Sequence, residues 1–249
     1  MIKIRLIAIV AIVVLIVSSA KAQFATGADI VSSYVWRGVP QDRTVGGNPS
    51  LGSPNIQPYL SFTTGGLTLG SWASSSFLGN VKEVDLYATY AFSSQFAVTL
   101  TDYNWGFAST KGYFDYSKTT DHIYEATLAY TGTEKFPISA SINTMFAGAD
   151  KYTTKGKDVA GNDSITSQKK AYSTYIELGY QITPLVKIFA GGVLSASDAY
   201  ATSSAGITNV GIKVSKSIVI TDKFSLPVYG ILGANPYSGG AFFVAGVTL

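Results

Sequence analysis

The sequence predicts an all-β fold: a transmembrane antiparallel up-and-down β-barrel of about 12 strands behind an N-terminal signal peptide. Three observations predict it. Of 249 residues, 47% are hydrophobic and only 13% charged, about half the roughly 25% charge of soluble domains. Beyond residue 22 no apolar run is long enough for a spanning helix, and two-faced alternation recurs instead. Long and short connections nearly alternate between these segments, as in outer-membrane barrels.

The N-terminal 22 residues read as an export signal. Lys3 and Arg5 give a positive start, "LIAIVAIVVLIV" is an unbroken apolar core, and Ala20 and Ala22 form an A-x-A site before Gln23. That pattern predicts cleavage after Ala22, and the run is shorter than the ~20 residues of a membrane anchor. Losing Lys3, Arg5 and Lys21 takes the 18 basic residues to 15, equal to the 15 acidic ones. The mature chain, 23–249, is therefore neutral and offers nucleic acid no basic field. It has no cysteine, so no disulfide or lipid attachment supports the sheet.

Each strand follows from period-2 alternation. "EVDLYATYAF" sets Val84, Leu86, Ala88, Tyr90 and Phe92 against Glu83, Asp85, Tyr87 and Thr89. "AYSTYIELGYQI" opposes Tyr172, Thr174, Ile176, Leu178, Tyr180 and Ile182 to Ser173, Tyr175, Glu177, Gly179 and Gln181. Twelve segments result: 27–39, 55–64, 66–77, 82–93, 95–107, 121–131, 136–147, 171–183, 185–196, 205–217, 223–233 and 240–249. An even number places both termini on the short-turn, periplasmic side. The longest connection, 148–170, is expected to be an external solvated loop. Tyr90, Phe92, Tyr130, Phe136, Tyr172 and Tyr180 sit near strand ends on the apolar face, as aromatic girdles do. "AFFVAGVTL" alternates up to Leu249, as a closing strand would.

The polar faces carry Asp29, Arg37, Glu83, Asp85, Glu125, Glu177, Lys187 and Lys213 as lumen candidates. Within "SSYVWRGVPQ" (32–41), a strand with Ile30, Tyr34 and Trp36 toward lipid would point Asp29, Ser33 and Arg37 inward. Arg37 is then either a rim residue or a lumen cation facing carboxylates of other strands. The acids Glu83, Asp85, Glu125 and Glu177 outnumber Lys187 and Lys213, which predicts a weak cation preference if the lumen is open. Tyr87, Tyr103 and Tyr175 on the polar face predict a narrow passage.

Ser33-Tyr34-Val35-Trp36-Arg37-Gly38-Val39-Pro40-Gln41 resembles the N-terminal strand of the TorF-type outer-membrane porins, also called the Gcw family. "GSWASSSFLGNVKEVDLYATYAF" (70–92) resembles that family's W-x-S followed by E-x-D-L-Y, with Ser71 where a cysteine is expected before the tryptophan. The resemblance covers about the first 70 mature residues. It implies an outer-membrane barrel and a channel, with no substrate and no catalytic residue.

Catalytic chemistry is not expected. His122 is the single histidine. Alternation sends it and Asp121 to opposite faces, so they cannot act as an acid–base pair within one strand. No ligand spacing suggests zinc or calcium, so no metal and no cofactor is expected. The expected partners are outer-membrane lipid, the barrel-assembly machinery during insertion, and small solutes. Two function classes remain: a porin or narrow channel for passive diffusion, and a non-conducting barrel serving as receptor, adhesion or structural protein.

Overall fold

A computed structural model describes residues 22–41, 52–79, 82–105, 112–117, 120–157, 161 and 163–249. The signal segment lies outside the described residues. The first strand, β1 (Gln23–Val31), is followed by a small hairpin, β2 (Val35–Trp36) and β3 (Val39–Pro40). The wall continues with β4 (Asn55–Thr64), β5 (Leu67–Ser76), β6 (Lys82–Ala91), β7 (Phe96–Asn104), β8 (His122–Tyr130) and β9 (Ile138–Gly148). An external hairpin, β10 (Tyr152–Lys157) and β11 (Asp163–Lys169), comes next. The wall then resumes with β12 (Thr174–Thr183), β13 (Val186–Val193), β14 (Gly206–Thr221), β15 (Phe224–Asn235) and β16 (Gly240–Thr248).

Twelve strands pair in antiparallel sequence order and close as β1 meets β16. Closure matters because lipid offers no partner to an unpaired backbone group. The seam pairs Asp29 with Thr248, Ile30 with Val247 and Val31 with Gly246. Backbone bonds extend it: Leu249 N–H donates to Ala28 O at 2.9 Å and Ser32 N–H to Ala245 O at 2.8 Å. The last residue of the chain thus takes part in closure. This closed antiparallel barrel is consistent with an outer-membrane barrel protein.

The two faces divide as the alternation predicts. Leu60, Leu86, Leu100, Leu128, Leu178 and Leu232 are exposed on the outside. At the short-turn rim Phe24 packs on Phe62 (4.9 Å between ring centroids), and Phe96 packs on Phe92 and on Tyr130 (5.9 and 4.9 Å). These rings, with exposed Tyr90, Phe136 and Tyr180, form one girdle. Inward-facing aromatics lie flat on the wall over glycines of the neighbouring strand. A Cβ on Gly70 would come within 2.3 Å of the Tyr87 ring, and one on Gly246 equally close to Tyr229. Tyr87 therefore takes less lumen than its bulk suggests. A row of half-buried threonines lines the inner wall, with Thr63–Thr68 and Thr89–Thr99 hydroxyl contacts of 2.9 and 2.8 Å.

Three expectations need correction. The strand expected over 27–39 ends at Val31, because residues 33–41 leave the wall and fold into the barrel around the β2–β3 hairpin. Of the turn expected at 218–222, residues 218–221 are instead strand, since β14 and β15 pair as far as Thr221–Phe224, and the turn narrows to 222–223. The connection 148–170 contains a hydrogen-bonded hairpin, tied to the barrel where Asp198 accepts from the Thr153 N–H at 2.9 Å.

Two outcomes test this register and topology. Leu178→Arg, on the lipid face, should cost about 2–4 kcal/mol in urea unfolding if it lies near the midplane, and Glu177→Gln far less. Equal losses would shift the register by one residue. Protease added to intact cells should cut the β10–β11 hairpin near exposed Lys155 or Lys169 and leave the barrel folded. Cutting only after permeabilisation would invert the orientation.

Candidate functional site: a charged hairpin in the lumen

The segment "VWRGVP" makes a tight hairpin because both central residues take positive φ, +49° at Arg37 and +81° at Gly38. Val35 pairs with Pro40 and Trp36 with Val39 around them. Two successive left-handed residues are the signature of a type I′ turn. Only glycine fits the second position, since a Cβ on Gly38 would fall 1.8 Å from Thr208 O. The tip is fastened to β14 and β15: Thr208 Oγ1 donates to Arg37 O at 3.3 Å and Asn235 Nδ2 to Gly38 O at 3.1 Å. Tyr34 and Trp36, expected to face lipid, lie inside the barrel. Tyr34 is 7% exposed and packs against Trp72 with tilted rings, 5.5 Å between centroids.

Arg37 is the lumen cation rather than a rim residue. Its Nη1 and Nη2 donate to the two carboxylate oxygens of Glu125 at 2.6 and 2.7 Å, a bidentate pair. Nη1 also donates to the Tyr200 hydroxyl at 2.6 Å and Nη2 to Asn143 Oδ1 at 2.9 Å. The guanidinium lies over Trp36 at 4.7 Å and Tyr175 at 5.0 Å. Trp36 stacks on Tyr200 at 4.8 Å and Tyr200 on Tyr175 at 5.5 Å. The supporting groups are themselves held: Glu125 accepts from the Tyr103 hydroxyl at 3.1 Å, and Asn143 Nδ2 donates to Tyr175 O at 3.2 Å. The side chain of Glu125 is 1% exposed and that of Arg37 15%.

The other lumen candidates do not join this cluster as one ring. Glu83 and Asp85 are 1% and 5% exposed, packed behind the hairpin beside Tyr34 and Trp105. Neither carboxylate oxygen of Glu83 has a hydrogen-bond partner among the described residues, while Asp85 accepts from Asn104 N–H at 3.4 Å. Glu177 accepts from the Tyr175 hydroxyl at 2.7 Å and from Asn209 at 3.2 Å. Asp29 lies in a separate layer, accepting from Thr248 Oγ1 at 2.7 Å and the Tyr229 hydroxyl at 3.3 Å. Lys213 sits over the Tyr229 ring at 4.4 Å, and Lys187 stands opposite it on β13. A cavity of about 160 Å³ separates the two layers, lined by Arg37, Gln57, Asn209 and Tyr229 among others.

Sequence reasoning missed three contributors. Tyr200 reaches Arg37 from an external loop, where no alternation marks it. Asn143 belongs to a polar face but carries no charge to draw notice. Asp102 is the third, because the acid partner of His122 lies on the neighbouring strand. Nδ1 of His122 is 2.6 Å from Asp102 Oδ1, and Nε2 is 2.6 Å from Tyr113 O and 3.0 Å from Asn104 Nδ2. The register pairing Asn104 with His122 is the signal that would have found it. This group is on the outer face, where Tyr113 and Tyr116 cover the ring. In the external loops, burial pushes the Asp150 carboxyl up while two hydrogen bonds from Ser173 pull it back. Hydrogen bonds from Ser203 hold the Tyr237 phenol down to about 8.

No family model matches this chain, and no curated protein is significantly similar to it.

The buried pair makes a directional prediction. Glu125→Ala should lower stability by about 3–5 kcal/mol, because it leaves the guanidinium buried and unpaired. Arg37→Ala should be comparably harmful through the stranded Glu125. The double variant should be clearly more stable than the sum of the single losses implies. Additive losses in equilibrium unfolding would mean that the pair is solvated.

Proposed function

We propose that the protein is a narrow outer-membrane channel for passive diffusion of small solutes, with the β2–β3 hairpin as its constriction. One observation carries this reading: below the hairpin the inner wall remains polar and half-exposed. Thr63, Thr68, Thr89, Thr99, Tyr87, Lys187 and Lys213 all contact solvent there. A barrel built only for structure would pack that face with interlocking side chains, as small filled barrels do. A narrowing lets a channel discriminate solutes by size, and the hairpin, fixed by Arg37 on Glu125, supplies one. The resemblance to TorF-type porins rests on the residues that form this hairpin, which supports the same reading. Export by the N-terminal signal, insertion by the assembly machinery and residence in the outer membrane belong to the proposal.

A second reading, a non-conducting barrel, is favoured by how completely the Arg37 network occupies the outer half. Single-channel recording separates the two. The wild-type protein should give small, resolvable steps, and Arg37→Ala/Glu125→Ala, which removes both charges together, should give larger ones. Steps of unchanged size would remove the hairpin from the constriction. Silence in both proteins, with the barrel folded, would establish the non-conducting reading.

A further inference from the structure

On the periplasmic side of the hairpin the accessible charge of the lumen has the opposite sign to the one patterning predicts. Counting along the polar faces gives an excess of acids and a cation preference. In the structure three of those acids are withdrawn, Glu125 by its pairing with Arg37 and Glu83 and Asp85 by burial, while Glu177 stays half-exposed beside Tyr175 and Asn209. What faces the half-exposed inner wall on the periplasmic side of the hairpin is Lys187 and Lys213, with the one carboxylate of Asp29.

These two lysines stand directly opposite each other on β13 and β14. Like charges in that relation repel, yet no ion pair within 4.0 Å relieves either among the described residues. Asp29 lies in the same layer, but its oxygens take hydrogen bonds from Thr248 and Tyr229. Local structure seats each ammonium over a different neighbour, Lys187 toward β12 and Lys213 toward β15. Lys187 lies flat across Gly179, where a Cβ would come within 2.3 Å of its Cε and 2.9 Å of its Nζ. The same Cβ would lie 2.5 Å from Ser139 Oγ, so a hydroxyl flanks the ammonium. Lys213 is set over the Tyr229 ring at 4.4 Å.

We propose that Lys187 and Lys213 form a binding station for small oxyanions, solutes bearing a carboxylate or phosphate, on the periplasmic side of the hairpin. Each ammonium brings three N–H donors and no acceptor. An oxyanion that draws both ammonium groups from these seats toward the lumen would satisfy donors from both and offset their repulsion. Occupancy then stabilises the folded barrel through linkage. The proposal deepens the channel reading by naming the solute class, although binding itself needs no conduction.

The test uses the full-length protein folded in neutral lipid, with inorganic phosphate as probe against chloride at matched low ionic strength. Phosphate should raise the melting temperature of the wild type, and Lys187→Gln/Lys213→Gln should lose that shift. Without phosphate the double variant should melt no lower than the wild type, since a repulsive pair has gone. Lys213→Arg, which keeps the charge, should retain the phosphate shift, and it serves if the double variant fails to fold. In a KCl gradient the wild-type reversal potential should show anion preference and the double variant should lose it. An equal phosphate shift in wild type and double variant, or no shift in the wild type, overturns the station. A lysine-dependent shift in a protein without channel steps keeps the station and removes the channel. Steps with a reversal potential indifferent to both lysines keep the channel and remove the station.

Discussion

The seam between β1 and β16 is the constraint on which the rest of the structure depends, because a barrel in lipid has no other way to satisfy its last two edges. It is also the shortest junction of the wall, with three register pairs where β1 and β4 share nine. The stagger leaves Gln23 to Gly27 paired with β4 alone among the barrel strands. The backbone bonds of Leu249 to Ala28 add to the seam at the point where it is thinnest. An outward-facing apolar surface and an inward polar one are only tenable once this junction closes, since the same alternation on an open sheet would leave edges exposed.

The seam also determines where the chain enters the lumen. Ser32 still belongs to the wall, donating its N–H to Ala245 O and accepting from Ala245 N–H through its hydroxyl at 2.9 Å. Immediately beyond it the chain turns inward, and a hairpin with only two residues per strand carries Arg37 to Glu125. A buried ion pair contributes little net stability compared with well-packed apolar groups, because desolvation offsets its attraction. Its value here is directional. The planar guanidinium matches a carboxylate in one orientation, and the stacked rings of Trp36, Tyr175 and Tyr200 accept it in the same plane of contact. The pair therefore fixes the hairpin tip in position, and with it the shape of the outer lumen.

Charge in the lumen is consequently organised along its length. Around the hairpin, acids are plentiful but mostly paired, buried or hydrogen-bonded; toward the short-turn end fewer charges are present, and Lys187, Lys213 and Asp29 are half-exposed. The glycine–aromatic contacts keep this lower region open, because a ring lying flat over Gly70 or Gly246 protects the backbone without reaching across the lumen.

Alternation in residues such as Val84 to Phe92 or Thr174 to Ile182 was enough to assign outward and inward faces and strand number. Period 2 is a local property of an extended chain, so neighbouring residues alone decide it. The same logic failed at Tyr34 and Trp36, where apolar residues next to a wall strand read as lipid-facing. They lie inside because Arg37 and Gly38 accept left-handed geometry and Thr208 leaves no room for a larger residue. Which charges meet was equally out of reach. Arg37 and Glu125 are 88 residues apart, and His122 finds Asp102 rather than its neighbour Asp121. Partners across strands depend on register and on the tilt that closes the barrel, and both arise only when all twelve strands pair at once. The sequence by itself determined what each strand shows to lipid and to water; the closed tertiary structure decided which of the watery charges remain free.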